Sequence, residues 1–229
     1  MEKCVLLIPA AGVGSRMKIG YPKQYMPLVG EKTLLELTVK RLVSMEIFDH
    51  VAVVVSAQDP YIEQQSLPSN VQILRCGGKS RGESVFNGLQ ALNLEENDWV
   101  FVHDAARPCV EKSDLLRLLS TLKNEAVDGA LLAQPSTDTL KWVDSDGYVE
   151  KTLDRSRCWR AQTPQVFRFA PLVKALSKNP SLFTDEASAM EVLNARIKIV
   201  EGRATNIKVT HPEDAPLVRK FLLDLGESL

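Results

Sequence analysis

Cysteine is scarce in this chain of 229 residues: Cys4, Cys76, Cys109 and Cys158 lie far apart and form no C-x-x-C pair. Histidine is scarcer still, with His50, His103 and His211 at no metal-ligand spacing. Neither a disulfide framework nor a zinc site is signalled, so the thiols read as buried or inert. Long apolar runs are also missing. The stretch Val5-Leu6-Leu7-Ile8 is cut off by Pro9 and the glycines beyond it, too soon for an export signal or a membrane span. A cytoplasmic protein is therefore expected. Charge of either sign is not in excess: 28 Lys plus Arg stand against 29 Asp plus Glu, a formal net charge of -1. That balance excludes a general attraction to nucleic acid or to an anionic membrane. A site for anions must gather a few cations at one place. Repeats, linkers and low-complexity segments are absent as well, which leaves a single domain over residues 1–229.

What is present suits a soluble globular enzyme, with 45% hydrophobic and 25% charged residues. Short runs at Val5–Ile8, Val51–Val55, Val71–Leu74, Trp99–Val102 and Gly129–Ala133 are apolar at nearly all consecutive positions, as in strands buried on both faces. Between them lie amphipathic stretches with helix-start signals. Thr33-x-x-Glu36 and Ser80-x-x-Glu83 have capping-box spacing, and Ser113 is placed to cap the leucine-rich helix from Asp114 to Leu122. This alternation predicts a Rossmann-like, doubly wound α/β fold with a mostly parallel sheet. From Pro135 the rhythm changes. Thr139–Val143 and Tyr148–Thr152 alternate apolar and polar residues around Asp144-Ser145-Asp146-Gly147, which predicts a β-hairpin. An isolated two-stranded hairpin is marginal, so residues 136–158 are expected to protrude as an arm and pack on a second subunit. The α/β pattern then resumes with a helix opened by Thr184-Asp185-Glu186, a strand at Ile197–Val200 and a last helix from Thr210-x-x-Glu213. Pro216 should delay or kink that last helix.

Chemistry concentrates in three turns. Pro9-Ala10-Ala11-Gly12-Val13-Gly14-Ser15-Arg16-Met17 follows the first strand, and its small residues let backbone N–H groups approach phosphate oxygens. It is neither a Walker loop nor G-x-G-x-x-G, and a tight turn alone would also explain it. Arg16 and Lys23 add the cations that phosphoryl chemistry needs. Cys76-Gly77-Gly78-Lys79-Ser80-Arg81-Gly82-Glu83-Ser84 leads into a capped helix, whose free N–H groups suit polar ligand atoms, although Ser80 can serve as a cap alone. Val102-His103-Asp104-Ala105-Ala106-Arg107-Pro108 follows a strand at the end where open α/β sheets bind ligands. Asp104 there is suited to Mg²⁺ over a polyphosphate, or to capping a turn with Arg107 paired to it.

Together with Pro22-Lys23-Gln24-Tyr25, Gln162-Thr163-Pro164-Gln165, Thr184-Asp185-Glu186-Ala187-Ser188 and Asn206-Ile207-Lys208-Val209-Thr210, these turns run in order over nearly the whole chain. In that order they closely resemble the 2-C-methyl-D-erythritol 4-phosphate cytidylyltransferases of the non-mevalonate isoprenoid pathway. The resemblance implies a nucleotidyltransferase-type α/β domain with a β-arm that makes a homodimer. It also implies transfer of CMP from CTP to 2-C-methyl-D-erythritol 4-phosphate with Mg²⁺, releasing pyrophosphate.

Carried over position by position, the resemblance makes Arg16, Lys23, Arg155 and Lys208 catalytic. Pro9, Ala10, Ala11, Gly12, Gly14, Gly78, Arg81, Ser84 and Ala105 would surround the nucleotide. Asp104, Arg107, Thr139, Thr163 and Thr184 would hold the polyol phosphate, with Asp104 also the Mg²⁺ ligand. Arg155 would act in the partner subunit's site, a choice among Arg155, Arg157 and Arg160 that rests on the Leu153-Asp154-Arg155 context. Lys79 departs from the family pattern, where many relatives carry an acidic residue. Two other readings stay open: a ribitol-5-phosphate cytidylyltransferase with the same chemistry, and a non-catalytic nucleotide-binding protein on the same fold.

Overall fold

The alternation within the first strand sets the architecture. In the computed structural model, which describes residues 2–12, 17 and 20–228, β1 (Cys4–Pro9) sends Leu6 and Ile8 to one face of the sheet and Val5 and Leu7 to the other. Each face needs a cover, and helices on both sides supply it. After β1 come two short paired strands, β2 (Pro27–Val29) and β3 (Lys32–Thr33). Helix α1 (Leu34–Ser44) starts in the expected box: Thr33 Oγ1 accepts from the Glu36 N–H at 3.2 Å, and Glu36 accepts from the Thr33 N–H at 2.9 Å. Strands β4 (His50–Val54) and β5 (Val71–Leu74) extend the sheet. Helix α2 (Arg81–Ala91) repeats the box with Ser80 and Glu83.

Strand β6 (Trp99–Val102) returns beside β1, and helix α3 (Lys112–Asn124) precedes β7 (Gly129–Pro135). Ser113 does not cap α3. The helix begins two residues earlier, with Glu111 as its N-cap, and Asp114 accepts from the Glu111 N–H at 3.0 Å, so Ser113 lies inside the first turn. Strands β8 (Lys141–Val143) and β9 (Val149–Thr152) form the hairpin as a separate two-stranded sheet. Strand β10 (Trp159–Arg168) and helix α4 (Phe169–Leu176) follow, then α5 (Glu186–Glu191), β11 (Ile197–Glu201) and α6 (Asp214–Asp224). Helix α6 does start late. Pro216 sits in its first turn, where no intrahelical N–H bond is lost, and Asp214 accepts from the N–H groups of Thr210 and His211 at 2.7 and 2.8 Å.

The main sheet runs β11-β7-β10-β6-β1-β4-β5. All its pairings are parallel except those of β10, which lies antiparallel between β6 and β7. Sequence reading assigned no strand to residues 159–168 and no helix to 169–176. Pro164 interrupts the run in sequence, and the structure accommodates it with a register shift between Ala161 and Gln165. One apolar layer packs α1 and α3 on one face through Leu35, Val39, Leu42, Leu115 and Leu118. The other packs α2 and α4 through Val85, Leu89, Leu172 and Leu176. From β1 the chain winds outward through β4 and β5, and from β6 it winds the opposite way, so the crevice of this doubly wound sheet opens at the carboxyl ends of β1 and β6.

The arm carries little core of its own. Trp142, Val143, Tyr148 and Val149 are 54%, 47%, 74% and 60% exposed. Its base is closed by backbone bonds Leu153 N–H to Leu140 O at 2.9 Å and Ser136 N–H to Cys158 O at 2.9 Å.

Candidate active site

The turns after β1, β5 and β6 meet at the crevice. Pro9, Ala10, Ala11 and Gly12 form one wall of a cleft of about 490 Å³. Gly78, Lys79, Ser80, Arg81 and Ser84 form a second, and Asp104, Ala105 and Ala106 a third, with Lys23, Gln24, Lys208 and Thr210 completing it. The first two walls touch: a side chain on Gly77 would run into Ala11 and the Val55 carbonyl, so glycine is needed for the loops to meet. Gln24 is buried and donates from Nε2 to the Ala10 carbonyl at 2.6 Å, which fixes the first loop from behind. Ser84 accepts from the Gly78 N–H at 3.1 Å and donates to the Ser80 carbonyl at 2.9 Å, so its hydroxyl shapes the second loop.

Asp104 is the electrostatic centre. Its Oδ1 lies 3.0 Å from Arg81 Nε, and its Oδ2 lies 2.7 Å from Lys208 Nζ and 3.6 Å from Arg107 Nε. Burial by itself would favour the neutral acid, but the charges of Arg81 and Lys208, with Arg107 behind them, hold the carboxyl well below the usual carboxylate range. Arg81 is also clamped by Glu186, Nη1 to Oε1 at 2.6 Å and Nη2 to Oε2 at 3.0 Å. Burial opposes the charge on Arg81, and the two carboxylates more than offset it, pushing its pKa up. Burial lowers that of Arg107 despite Asp104 beside it. Arg107 turns its fork away from the cleft, with Nη1 donating to the Asn206 carbonyl at 2.7 Å.

Beneath Asp104 lies a buried polar chain. Its backbone N–H donates to Thr163 Oγ1 at 3.0 Å, and that hydroxyl meets His103 Nδ1 at 3.1 Å. His103 Nε2 bonds the Arg107 carbonyl at 2.9 Å. A carbonyl only accepts, so Nε2 carries the proton and Nδ1 accepts from Thr163. Full burial pushes the imidazole down to about 4, which keeps it neutral. Lys23 donates from Nζ to the Val209 carbonyl at 2.7 Å, and Val209 N–H bonds the Ala106 carbonyl at 2.9 Å, so the segment around Lys208 is tied to the third wall.

Of the residues singled out from sequence, Pro9, Ala10, Ala11, Gly12, Lys23, Gly78, Arg81, Ser84, Asp104, Ala105 and Lys208 all line the cleft. Arg107 reaches it through Asp104. Gly14 and Arg16 lie outside the described residues. The remaining positions do not line this cleft. Thr163 is buried under Asp104. Thr184 is exposed, next to the Asp185 cap of α5. Thr139 is exposed at the foot of the arm. Arg155 is also exposed there and donates from Nη1 to the Thr137 carbonyl at 2.8 Å. Sequence reading assigned no role to Gln24, His103 or Glu186. Each lies inside a motif quoted above, but its partner is remote in sequence or buried, so no local spacing announces it.

Among the described residues the lining holds four cations, Lys23, Lys79, Arg81 and Lys208, and one carboxylate, Asp104. Loop N–H groups and cations around a crevice of this size suit a nucleotide's phosphates. Among the described residues no group of three or more His, Cys, Asp or Glu is placed to hold a metal ion. A single carboxylate does suit Mg²⁺ that is held mainly by phosphate oxygens. Among those residues, too, no helix is long and apolar enough to cross a membrane.

Known proteins carry the same pattern. Residues 4–224 match the model of the IspD family, 2-C-methyl-D-erythritol 4-phosphate cytidylyltransferase. The chain is 45% identical over 224 residues to the 2-C-methyl-D-erythritol 4-phosphate cytidylyltransferase of Alteromonas mediterranea, covering 96% of this chain and 93% of that one. It is 46% identical over 221 residues to the enzyme of that name from Haemophilus influenzae, covering 95% and 96%. A crystal structure of 4-diphosphocytidyl-2C-methyl-D-erythritol synthase superposes with a TM-score of 0.84 at 40% identity, over 97% of this chain and 99% of that chain. Fold and sequence agree along nearly the full length, and the chain belongs to the 2-C-methyl-D-erythritol 4-phosphate cytidylyltransferase family.

Proposed function

We propose that the protein transfers CMP from CTP to 2-C-methyl-D-erythritol 4-phosphate, giving 4-diphosphocytidyl-2-C-methyl-D-erythritol and pyrophosphate. The observation that carries this reading is the gathering of Lys23, Lys79, Arg81 and Lys208 with Asp104 in the lining of one cleft, in a family of cytidylyltransferases. A phosphate-monoester oxygen of the acceptor attacks the α-phosphorus of CTP in line. The new P–O bond forms as the bond to the bridging oxygen breaks, and pyrophosphate leaves with that electron pair. The nucleophile is already an anion, so no general base is needed. What is needed is an environment that brings two anions together and meets the charge that builds up on the α-phosphate.

In this reading Lys23, with Arg16, stabilises the pentacoordinate phosphorus, and Lys208 holds phosphate. The Pro9–Gly12 wall, with Gly14, and the Gly78, Arg81, Ser84 and Ala105 positions hold the nucleotide. Arg107 and Asp104 serve the polyol phosphate, Thr163 serves it through Asp104, whose N–H it accepts, and Thr139 and Thr184 stand for further contacts with it. Asp104 would hold Mg²⁺, which when bound offsets polyphosphate charge. Arg155 would reach the site of a second copy. The exposed aromatic face of the arm and the absence of Arg155 from its own cleft support a homodimer made through residues 136–158.

Pyrophosphate release measured with CTP and each polyol phosphate tests the reading. We expect turnover with 2-C-methyl-D-erythritol 4-phosphate. Turnover confined to ribitol 5-phosphate would overturn the substrate, and CTP binding without turnover under any divalent metal would overturn the activity.

A further inference from the structure

Arg81 occupies an unfavourable place for a cation. It is the first residue of α2, at the positive end of the helix dipole, and its side chain is only 25% exposed. Two carboxylates explain it. Glu186, 1% exposed, takes both ends of the guanidinium fork, and in that orientation Nε is the donor that meets Asp104 Oδ1. Bidentate pairing of this kind fixes both the distance and the plane of the guanidinium.

Glu186 is itself held from rigid elements. Asp185, the cap of α5, accepts from the Ser188 N–H at 2.9 Å. Gln165 of β10 donates to Asp185 Oδ2 at 2.8 Å and accepts from the Ala187 N–H at 2.8 Å. The first turn of α5, which carries Glu186, is thereby tied to β10.

The division of donors matters for Asp104. With the fork taken by Glu186, Asp104 gives Arg81 one oxygen and leaves Oδ2 to Lys208 in the cleft. Without the Glu186 charge, Asp104 is the remaining carboxylate paired with Arg81, and a bidentate pair between them would withdraw both oxygens from the cleft. We propose that Glu186 is a positioning residue for the transfer reaction: it holds Arg81 side-on, so that Asp104 keeps one oxygen for Lys208 and the ligands of the cleft. This rests on the cytidylyl-transfer reading above.

The test uses the full chain with Glu186→Gln and Glu186→Asp, each alone, and with Glu186→Gln also in an Arg81→Met background. Glu186→Gln is expected to lower kcat on the order of 10- to 100-fold, the usual range for residues that orient an active-site ligand, with the KM for CTP changed less than about threefold. Glu186→Asp, which keeps the charge, should recover part of the loss. In the Arg81→Met background Glu186→Gln should have no further effect on kcat, because its partner is gone. Urea unfolding of every variant separates folding from turnover. A folded Glu186→Gln protein with wild-type kcat, or an equal loss in both backgrounds, would overturn the proposal alone. Wild-type protein without transfer activity would overturn the activity reading and the proposal with it.

Discussion

Thr163 is the position where a single oxygen atom should matter most. Thr163→Val keeps the β-branched shape but removes the hydroxyl that accepts from the Asp104 N–H at 3.0 Å and meets His103 Nδ1 at 3.1 Å. Both groups lie out of solvent, with His103 at 0% and Asp104 at 7% exposure. Leaving a buried polar group without a partner costs about 1–3 kcal/mol. Two such groups, partly relieved by local shifts, predict a loss of about 2–4 kcal/mol, a large share of the ~5–15 kcal/mol that a domain has in total. Thr163→Ser keeps the oxygen and should lose no more than about 1 kcal/mol, for one buried methyl. Urea denaturation at neutral pH measures both, and pyrophosphate release on the same samples should show a kcat loss in the valine variant that the serine variant largely escapes. A valine variant within about 0.5 kcal/mol of wild type, with only the KM for the polyol phosphate raised, would refute the reasoning. It would make Thr163 a substrate contact instead of a support for Asp104.

Stability should also fall in mild acid because of His103. Its pKa is about 4 in the fold against the ordinary 6.5, so between those values the unfolded chain binds the extra proton. The contribution is complete above about 6.5 and is lost as pH drops toward 4, about 2.5 kcal/mol between pH 7.5 and pH 4.5. Denaturation curves at the two pH values should show this slope, and His103→Gln should flatten it; equal slopes would contradict the assignment. Lys23→Ala should lower kcat on the order of a hundredfold or more while circular dichroism stays native, because charge stabilisation at the phosphorus is lost. A change limited to KM would make Lys23 a binding residue only. For the arm, mixing Arg155→Ala subunits with Lys23→Ala subunits should restore part of the activity, since one site in the mixed dimer is then intact. Verified mixed dimers without recovery would count against a shared site.

The local signals in the sequence were reliable where short-range physics decides. Thr33 with Glu36 and Ser80 with Glu83 make the boxes that their spacing announces, and β1, β4, β6 and β7 stand buried where consecutive apolar residues put them, whereas β5 is the sheet edge and exposes Gln72. Ser113 misled because Glu111 and Asp114 make the box, which starts the helix before Ser113 and leaves it inside the first turn. Strand β10 was illegible because Arg160, Gln162, Thr163, Pro164 and Gln165 lack a strand's apolar pattern. Residues 162–165 are nonetheless buried, with tertiary partners such as Asp185 and Asn206. The site divides in the same way. Lys23, Asp104 and Lys208 belong to motifs whose order along the chain points to phosphate chemistry. Glu186 sits in the first turn of a helix, where a carboxylate is ordinary, and its ion pair with a residue 105 positions earlier leaves no trace in local spacing.

The placement of β10 has a consequence for how the molecule is made. Strands β6 and β7 leave the ribosome early, yet they do not pair with each other; the strand that joins them follows the arm. A nascent chain that stops before residue 159 therefore presents Val100, Phe101 and Val102 along an unpaired sheet edge, the kind that recruits other chains. Asp104 meanwhile waits for Thr163, which arrives on that same strand. Closing the sheet and assembling the cleft are thus one event late in synthesis, and a chain truncated within the arm should be both sticky and inert.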